Sequence, residues 1–176
     1  MVAGKIIGGG FPIGAIGGNA EVMSVFGGDP SSPVVSQGGT FSANPVSMVA
    51  GLKAMEAATP AVFDRLERQG DWLRSELSAV ASKHGAAFSV TGAASLLRIH
   101  PRATPPTTYA EAAPTPLDIA TMRSLSRHFR EKGILLPHDA AACLSTPMGD
   151  DELEHVVATF EQFIVDQFLS NQETQP

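Results

Sequence analysis

The stretch Gly4-Lys5-Ile6-Ile7-Gly8-Gly9-Gly10-Phe11-Pro12-Ile13-Gly14-Ala15 sets a lysine where a short apolar strand gives way to a glycine-rich loop. Glycines put little side chain in the way, so a ligand can approach both backbone and amine closely. Lysine also forms imines with carbonyl compounds once desolvation or a neighbouring charge lowers its pKa. Alone, the pattern more often marks a solvated lysine than a reactive one. A second segment adds weight: Ser36-Gln37-Gly38-Gly39-Thr40-Phe41-Ser42-Ala43-Asn44-Pro45 reads as a glycine turn, a hydroxyl cluster and a helix start. Asn44 suits the N-cap, and Pro45 the first helical position, where its missing N–H costs nothing. Gly38, Gly39 and Thr40 offer backbone N–H groups and a hydroxyl, the equipment that holds a phosphate.

Together the two segments resemble the lysine-bearing half of the class III, fold-type I pyridoxal-phosphate enzymes. Within that class the likeness runs toward glutamate-1-semialdehyde 2,1-aminomutase and its aminotransferase relatives. It rests on Gly4 to Gly10, on Pro12-Ile13-Gly14-Ala15 with Gly17-Gly18, and on Gly39 to Pro45 followed by Met48, Ala50 and Gly51. It continues more faintly to Gly133-Ile134-Leu135-Leu136-Pro137 and an acid-capped final helix. The aminomutase pattern has alanine, leucine and glycine where this chain has Gly38, Phe41 and Ala43.

The resemblance implies an α/β fold, the C-terminal part of the fold-type I transferase architecture. Residues 1–59 would be a remnant of the large cofactor-binding domain, 60–169 the small α/β domain and 170–176 a flexible tail. Lys5 matches the Schiff-base lysine that holds pyridoxal 5'-phosphate and moves a proton between substrate and cofactor. Thr40 matches the threonine that reaches the cofactor phosphate of the neighbouring subunit, with Gly39 letting that backbone come close. A homodimer is therefore expected, acting on a small-molecule amino or oxo acid. The implied reaction is an aminomutase step giving 5-aminolevulinate for tetrapyrrole synthesis. The alternative within the family is transfer of the amino group to a 2-oxo acid. A reading of another class is a non-catalytic fragment or pseudoenzyme subunit. Family members carry further cofactor-binding parts ahead of the lysine, among them the aspartate that keeps the pyridine nitrogen protonated. The chain is accordingly expected to be N-terminally truncated and inactive alone.

Composition fits a globular protein with a core rather than a disordered chain: 43% of the 176 residues are hydrophobic and 17% charged. A net charge of −6 argues against nucleic acid and anionic membranes as partners. Cys143 is the only cysteine, which suits a reducing cytoplasm and leaves no disulfide framework. The N-terminal apolar run is broken by glycines and Pro12, so it makes a poor signal sequence, and nothing reaches the length of a bilayer span. No nucleotide-binding glycine motif, P-loop or nucleophile elbow fits. The five histidines are scattered without metal-site spacing. His138-Asp139 reads as an ordinary turn rather than part of a substrate mouth, and Arg98 as a structural ion pair rather than a carboxylate ligand.

The spacing predicts short buried strands at 2–7 and 13–16 and a loop from Gly27 to Gln37. A helix from Pro45 to Ala58 follows, with Val46, Val49, Leu52 and Met55 on its apolar side. The helix from Ala61 to His84 carries Phe63, Leu66, Leu73, Leu77 and Val80 on one face and stops at Gly85. Strands are expected at 88–90 and 95–99, a long loop from Pro101 to Pro116, a helix from Leu117 to Lys132 and a strand at 134–136. The last helix opens on Asp150-Asp151-Glu152 and buries Leu153, Val156, Val157, Phe160, Phe163 and Ile164.

Overall fold

The computed structural model describes residues 1–27 and 34–173, with side chains through Asp166. Most of the loop expected before Gln37, and the last three residues of the expected tail, lie outside the described residues. The chain divides into two units, Met1–Pro60 and Ala61–Pro176.

In the first unit, β1 (Val2–Gly4) pairs antiparallel with β2 (Gly14–Ile16), with Ala3 opposite Ala15. The expected strand over 2–7 stops at Gly4, because Lys5 turns into the left-handed region at φ 57° and opens a 3₁₀ turn, Lys5–Gly8. A one-turn helix, α1 (Ala20–Met23), is capped by the Asn19 side chain, which accepts from the Val22 amide at 2.8 Å. Then α2 (Pro45–Ala57) begins as expected: the Asn44 side chain accepts from the amides of Val46 and Ser47 at 3.0 and 3.2 Å. Its apolar side does not form a core here. Val46, Val49, Leu52 and Met55 are 51–61% exposed, while the small residues Ser47 and Gly51 are the buried ones.

In the second unit, α3 (Pro60–Lys83), α5 (Pro116–Glu131) and α6 (Asp150–Glu173) pack with a three-stranded antiparallel sheet. The sheet order is β3 (Ser89–Ala93), β4 (Leu96–His100), β5 (Ala141–Cys143). Alternation along β4 sends Leu97 and Ile99 into the core and leaves Arg98 exposed on the other face. The core is filled by Leu73 and Leu77 of α3, Leu125 and Phe129 of α5, and Phe160 and Ile164 of α6, each at most 1% exposed. Phe88 meets the Phe160 ring edge-on at 5.5 Å. Burial of such a side chain stabilises by roughly 1.5–3 kcal/mol. Phe63, at the start of the expected α3 stripe, is exposed instead.

Three expectations need correction here. Ile134–Leu136 is not a strand; the third strand is Ala141–Cys143, which pairs with Leu96–Arg98. Leu136 is buried, but its carbonyl accepts the Ser126 hydroxyl at 2.5 Å rather than a strand neighbour. The stretch from Pro101 to Pro116 is not all loop, since Thr108 and Glu111 form a capping box around a one-turn helix, α4 (Tyr109–Ala112). Finally, α6 extends through Glu173, into the expected tail.

Interior polar groups make the second unit sensitive to acid. His100 is buried, with Nε2 2.8 Å from the Thr91 hydroxyl. Burial, reinforced by the neighbouring Arg98 and Arg102, lowers its pKa. The unfolded chain therefore takes up the proton first as pH falls below about 6.5, and stability rises with pH across that window. Urea midpoints should drop between pH 7 and pH 5, and His100→Gln should flatten that slope; an unchanged slope would show that His100 does not set it.

Candidate functional site

Lys5 sits where β1 ends and the chain reverses within a few residues. Its left-handed φ is uncommon for a side-chain-bearing residue and ends β1 in a single step. Beyond it the turn is closed by the Gly9 amide on the Ile6 carbonyl and the Phe11 amide on the Gly8 carbonyl, both at 3.0 Å. Lys5 is exposed, and none of the hydrogen bonds or ion pairs among the described residues uses its amine.

What fixes the turn is α2. A Cβ built on Gly51 would lie 2.0 Å from the Ile7 carbonyl oxygen, and one on Gly9 would lie 2.3 Å from the Ala50 carbonyl oxygen. Helix backbone and turn backbone are thus in direct contact. One turn earlier on α2, the buried Ser47 hydroxyl donates to the Pro12 carbonyl at 2.9 Å. Both ends of the glycine-rich segment are therefore held by one helix. Ser47 and the seat role of Gly51 were not singled out from sequence; the signal was there as a glycine inside a helix, which costs about 1 kcal/mol unless something packs against it.

Gly39 and Thr40 lie in the segment leading to α2 and are exposed. The Ser42 amide donates to the Gly39 carbonyl at 2.9 Å and the Asn44 amide to the Phe41 carbonyl at 3.2 Å, so the segment folds back just before the Asn44 cap. Among the described residues no hydrogen bond uses the Gly39 amide, the Thr40 amide or the Thr40 hydroxyl. A Cβ on Gly39 would meet only the Ser42 hydroxyl, at 3.5 Å, so packing within this chain does not demand glycine there. Lys5, Gly39 and Thr40 all belong to the first unit, and Lys5 and the Gly39-Thr40 pair are each joined to α2, not to each other.

The other residues weighed from sequence resolve as follows. Among the described residues Arg98 makes no ion pair; its Nε donates to the Asp139 carbonyl at 3.2 Å. His138 and Asp139 are exposed in the connection before β5, and Cys143 is an exposed free thiol. No group of three or more metal-ligating side chains is found among the described residues, nor any helix long and apolar enough to cross a membrane.

Comparison with known proteins gives this geometry a family. The sequence pattern described as Aminotransferase class-III matches residues 1–162. The chain belongs to the class-III aminotransferases. Glutamate-1-semialdehyde 2,1-aminomutase 2 of Geobacillus kaustophilus is 34% identical over 161 residues, 90% of this chain and 36% of that protein. The crystal structure of an omega-transaminase from Sphaerobacter thermophilus is 44% identical and superposes with a TM-score of 0.88 over 94% of this chain and 38% of that one. A transaminase solved with PLP bound is 32% identical, with a TM-score of 0.79 over 94% of this chain and 37% of that one. This class-III chain thus spans a little over a third of the length of the curated relatives it matches.

The seat on α2 is open to a direct check. Gly51→Ala sets a methyl against the Ile7 carbonyl, and overpacking of this kind costs about 1–3 kcal/mol. Hydrogen exchange at the Gly9 and Phe11 amides should accelerate in Gly51→Ala while α3, α5 and α6 keep their protection. Unchanged exchange at those two amides would mean that α2 does not hold the turn.

Proposed function

We propose that this chain is the cofactor-lysine portion of a class-III aminotransferase, with Lys5 as the residue that holds pyridoxal phosphate and handles the proton. The observation that carries the reading is Lys5 itself: a primary amine without a hydrogen-bond or ion-pair partner among the described residues, set at a left-handed residue on a turn that α2 locks backbone to backbone. The donor set fits the cofactor. Lys5 Nζ can bond to its aldehyde carbon, and the unused amides of Gly39 and Thr40 with the Thr40 hydroxyl suit a phosphate. Glycine at 39, not demanded by this chain's own packing, suits close approach of such a group.

Pyridoxal phosphate, when bound, supplies an electron sink for the carbanion that forms beside the substrate nitrogen. The chain's own share is positioning and proton transfer. Lys5 Nζ would take a proton from the substrate carbon and return one to a different carbon, a general acid–base role. The turn's rigidity keeps that amine within reach of both carbons.

Amino transfer to a 2-oxo acid is the preferred reaction, ahead of the internal migration of an aminomutase. It is supported by the 44% identity to the omega-transaminase, against 34% to the aminomutase. We further propose that residues 1–59 belong to the cofactor-binding domain and 60–169 to the small domain. Turnover is proposed to need the remainder of a full-length relative's architecture. Reduction with borohydride in the presence of pyridoxal phosphate, followed by peptide mapping, should give one adduct, at Lys5, with Lys53, Lys83 and Lys132 unlabelled; labelling spread over all four would defeat the reading. In preparations that show turnover, amine consumption that requires an added 2-oxo acid supports transfer. Isomerisation of glutamate-1-semialdehyde without an acceptor would favour the aminomutase.

The exposed side of α2 supports a homodimer. Val46, Met48, Val49, Leu52 and Met55 leave exposed apolar surface on α2 of a kind that seldom stays bare. Light scattering should give a mass at least twice 18.4 kDa, and Val49→Glu with Leu52→Glu should reduce it. A monodisperse monomer of the unsubstituted chain would count against this assembly.

A further inference from the structure

The second unit holds a cavity of about 250 Å³ that the cofactor reading does not use. It opens beside the end of β4, walled by α5 and by the connection that leads into β5. Three arginines line it, Arg98, Arg102 and Arg123, together with His100 and His138. The apolar part of the lining includes Ile119 and Met122 of α5.

The three guanidinium groups are not equivalent. Arg102 has both terminal nitrogens engaged: it donates to the Asp118 carboxylate at 3.0 Å and to the carbonyls of Glu111 and Ala113. Asp118 is in turn held by the Thr115 amide at 2.8 Å, which with Arg102 lowers its pKa. Arg98 spends only its Nε, on the Asp139 carbonyl, and its two terminal nitrogens have no partner among the described residues. Arg123 has none either. The Asp139 carboxylate accepts from the Ala141 amide at 3.3 Å. His100 adds no full charge at neutral pH, since burial lowers its pKa. Three positive charges thus face two carboxylates, and the uncommitted donors are those of Arg98 and Arg123.

Exposed arginines on a convex surface point apart into water and report nothing. Here two with spare donors converge on a concavity with a partly apolar lining, the composition of a small-molecule site. A planar fork of N–H donors matches a carboxylate in two parallel hydrogen bonds. The carboxylates of Asp118 and Asp139 in the same lining weigh against a doubly charged phosphate. We propose that this pocket binds a small monocarboxylate with an apolar tail, its carboxylate on Arg98 and Arg123 and its tail on Ile119 and Met122. The proposal goes beyond the cofactor reading and does not depend on it.

The test is a titration of the full chain with sodium valerate, without cofactor, followed through backbone amide shifts. Saturable shifts confined to residues 98–102 and 119–123 are expected. Arg98→Gln should weaken the affinity about tenfold, the loss expected for one charge-assisted pair. The double variant Arg98→Gln/Arg123→Gln should abolish binding, while Arg65→Gln on α3 leaves it intact. Far-UV circular dichroism confirms that each variant is folded, and both substituted arginines are exposed. Non-saturating shifts, equal binding by the double variant, or equal binding of pentylamine would overturn the proposal. So would inorganic phosphate binding as tightly as valerate, which would reduce the pocket to general attraction of anions.

Discussion

The contact between the Ile7 carbonyl and Gly51 governs the first unit. Two backbones meet with no side chain between them, which is possible only because neither the turn at Gly9 nor the helix at Gly51 carries a Cβ. Everything that makes Lys5 distinctive descends from that seat. The chain must leave β1 and reach the surface of α2 within a few residues, and the reversal falls on Lys5 in a left-handed conformation that costs roughly 1–2 kcal/mol. Such a conformation persists only where the surroundings over-determine it. Here the hairpin register on one side, and α2 with the Ser47–Pro12 hydrogen bond on the other, do so.

A second helix-interior glycine acts in the same way in the other unit. A Cβ on Gly70 of α3 would lie 1.9 Å from the Ala94 carbonyl oxygen, at the tip of the β3–β4 hairpin. One turn along, Arg74 donates to the carbonyls of Ala94 and Leu96 at 2.7 and 2.8 Å. The hairpin tip thus exchanges the ladder partners it lacks for a guanidinium, and the missing side chain at Gly70 is what lets the helix come near enough. In both units a glycine that weakens its own helix positions a neighbouring turn. The propensity loss is local and small; the orientation gained extends to Lys5 in one case and to the whole sheet in the other.

Much of this was legible in the sequence where one physical signal acts alone. The Asn44-Pro45 helix start, the Leu73-Leu77-Val80 stripe and the acid-led α6 each follow from a cap, a period or a dipole. The misreadings fall where tertiary contact overrides propensity. Ile134 to Leu136 looks like a strand by side-chain type, yet only Leu136 is fully buried, Leu135 is exposed, and the Leu136 carbonyl is taken by Ser126. Ala141-Ala142-Cys143 has little strand propensity and becomes β5 because β4 offers an open edge. Of the candidate site, Lys5, Gly39 and Thr40 could be named from motif alone. The seat beneath them could not, because a serine and a glycine inside a helix carry no sign of what they touch.

The composition of α2 says what the isolated unit lacks. Its apolar residues are spread around the helix rather than gathered in a stripe, which is the pattern of a helix covered on more than one side. Only the Ser47–Gly51 side is covered here, by small residues whose burial contributes little hydrophobic free energy. The larger side chains, from Val46 to Met55, remain about half exposed, each forgoing part of the roughly 1.5–3 kcal/mol that full burial would give. The second unit shows the opposite balance, with leucines and phenylalanines of three helices at most 1% exposed. The turn that presents Lys5 is therefore locked in geometry but weakly supported in energy. Whatever covers α2, a second copy or further class-III sequence, strengthens the platform under the lysine by mass action.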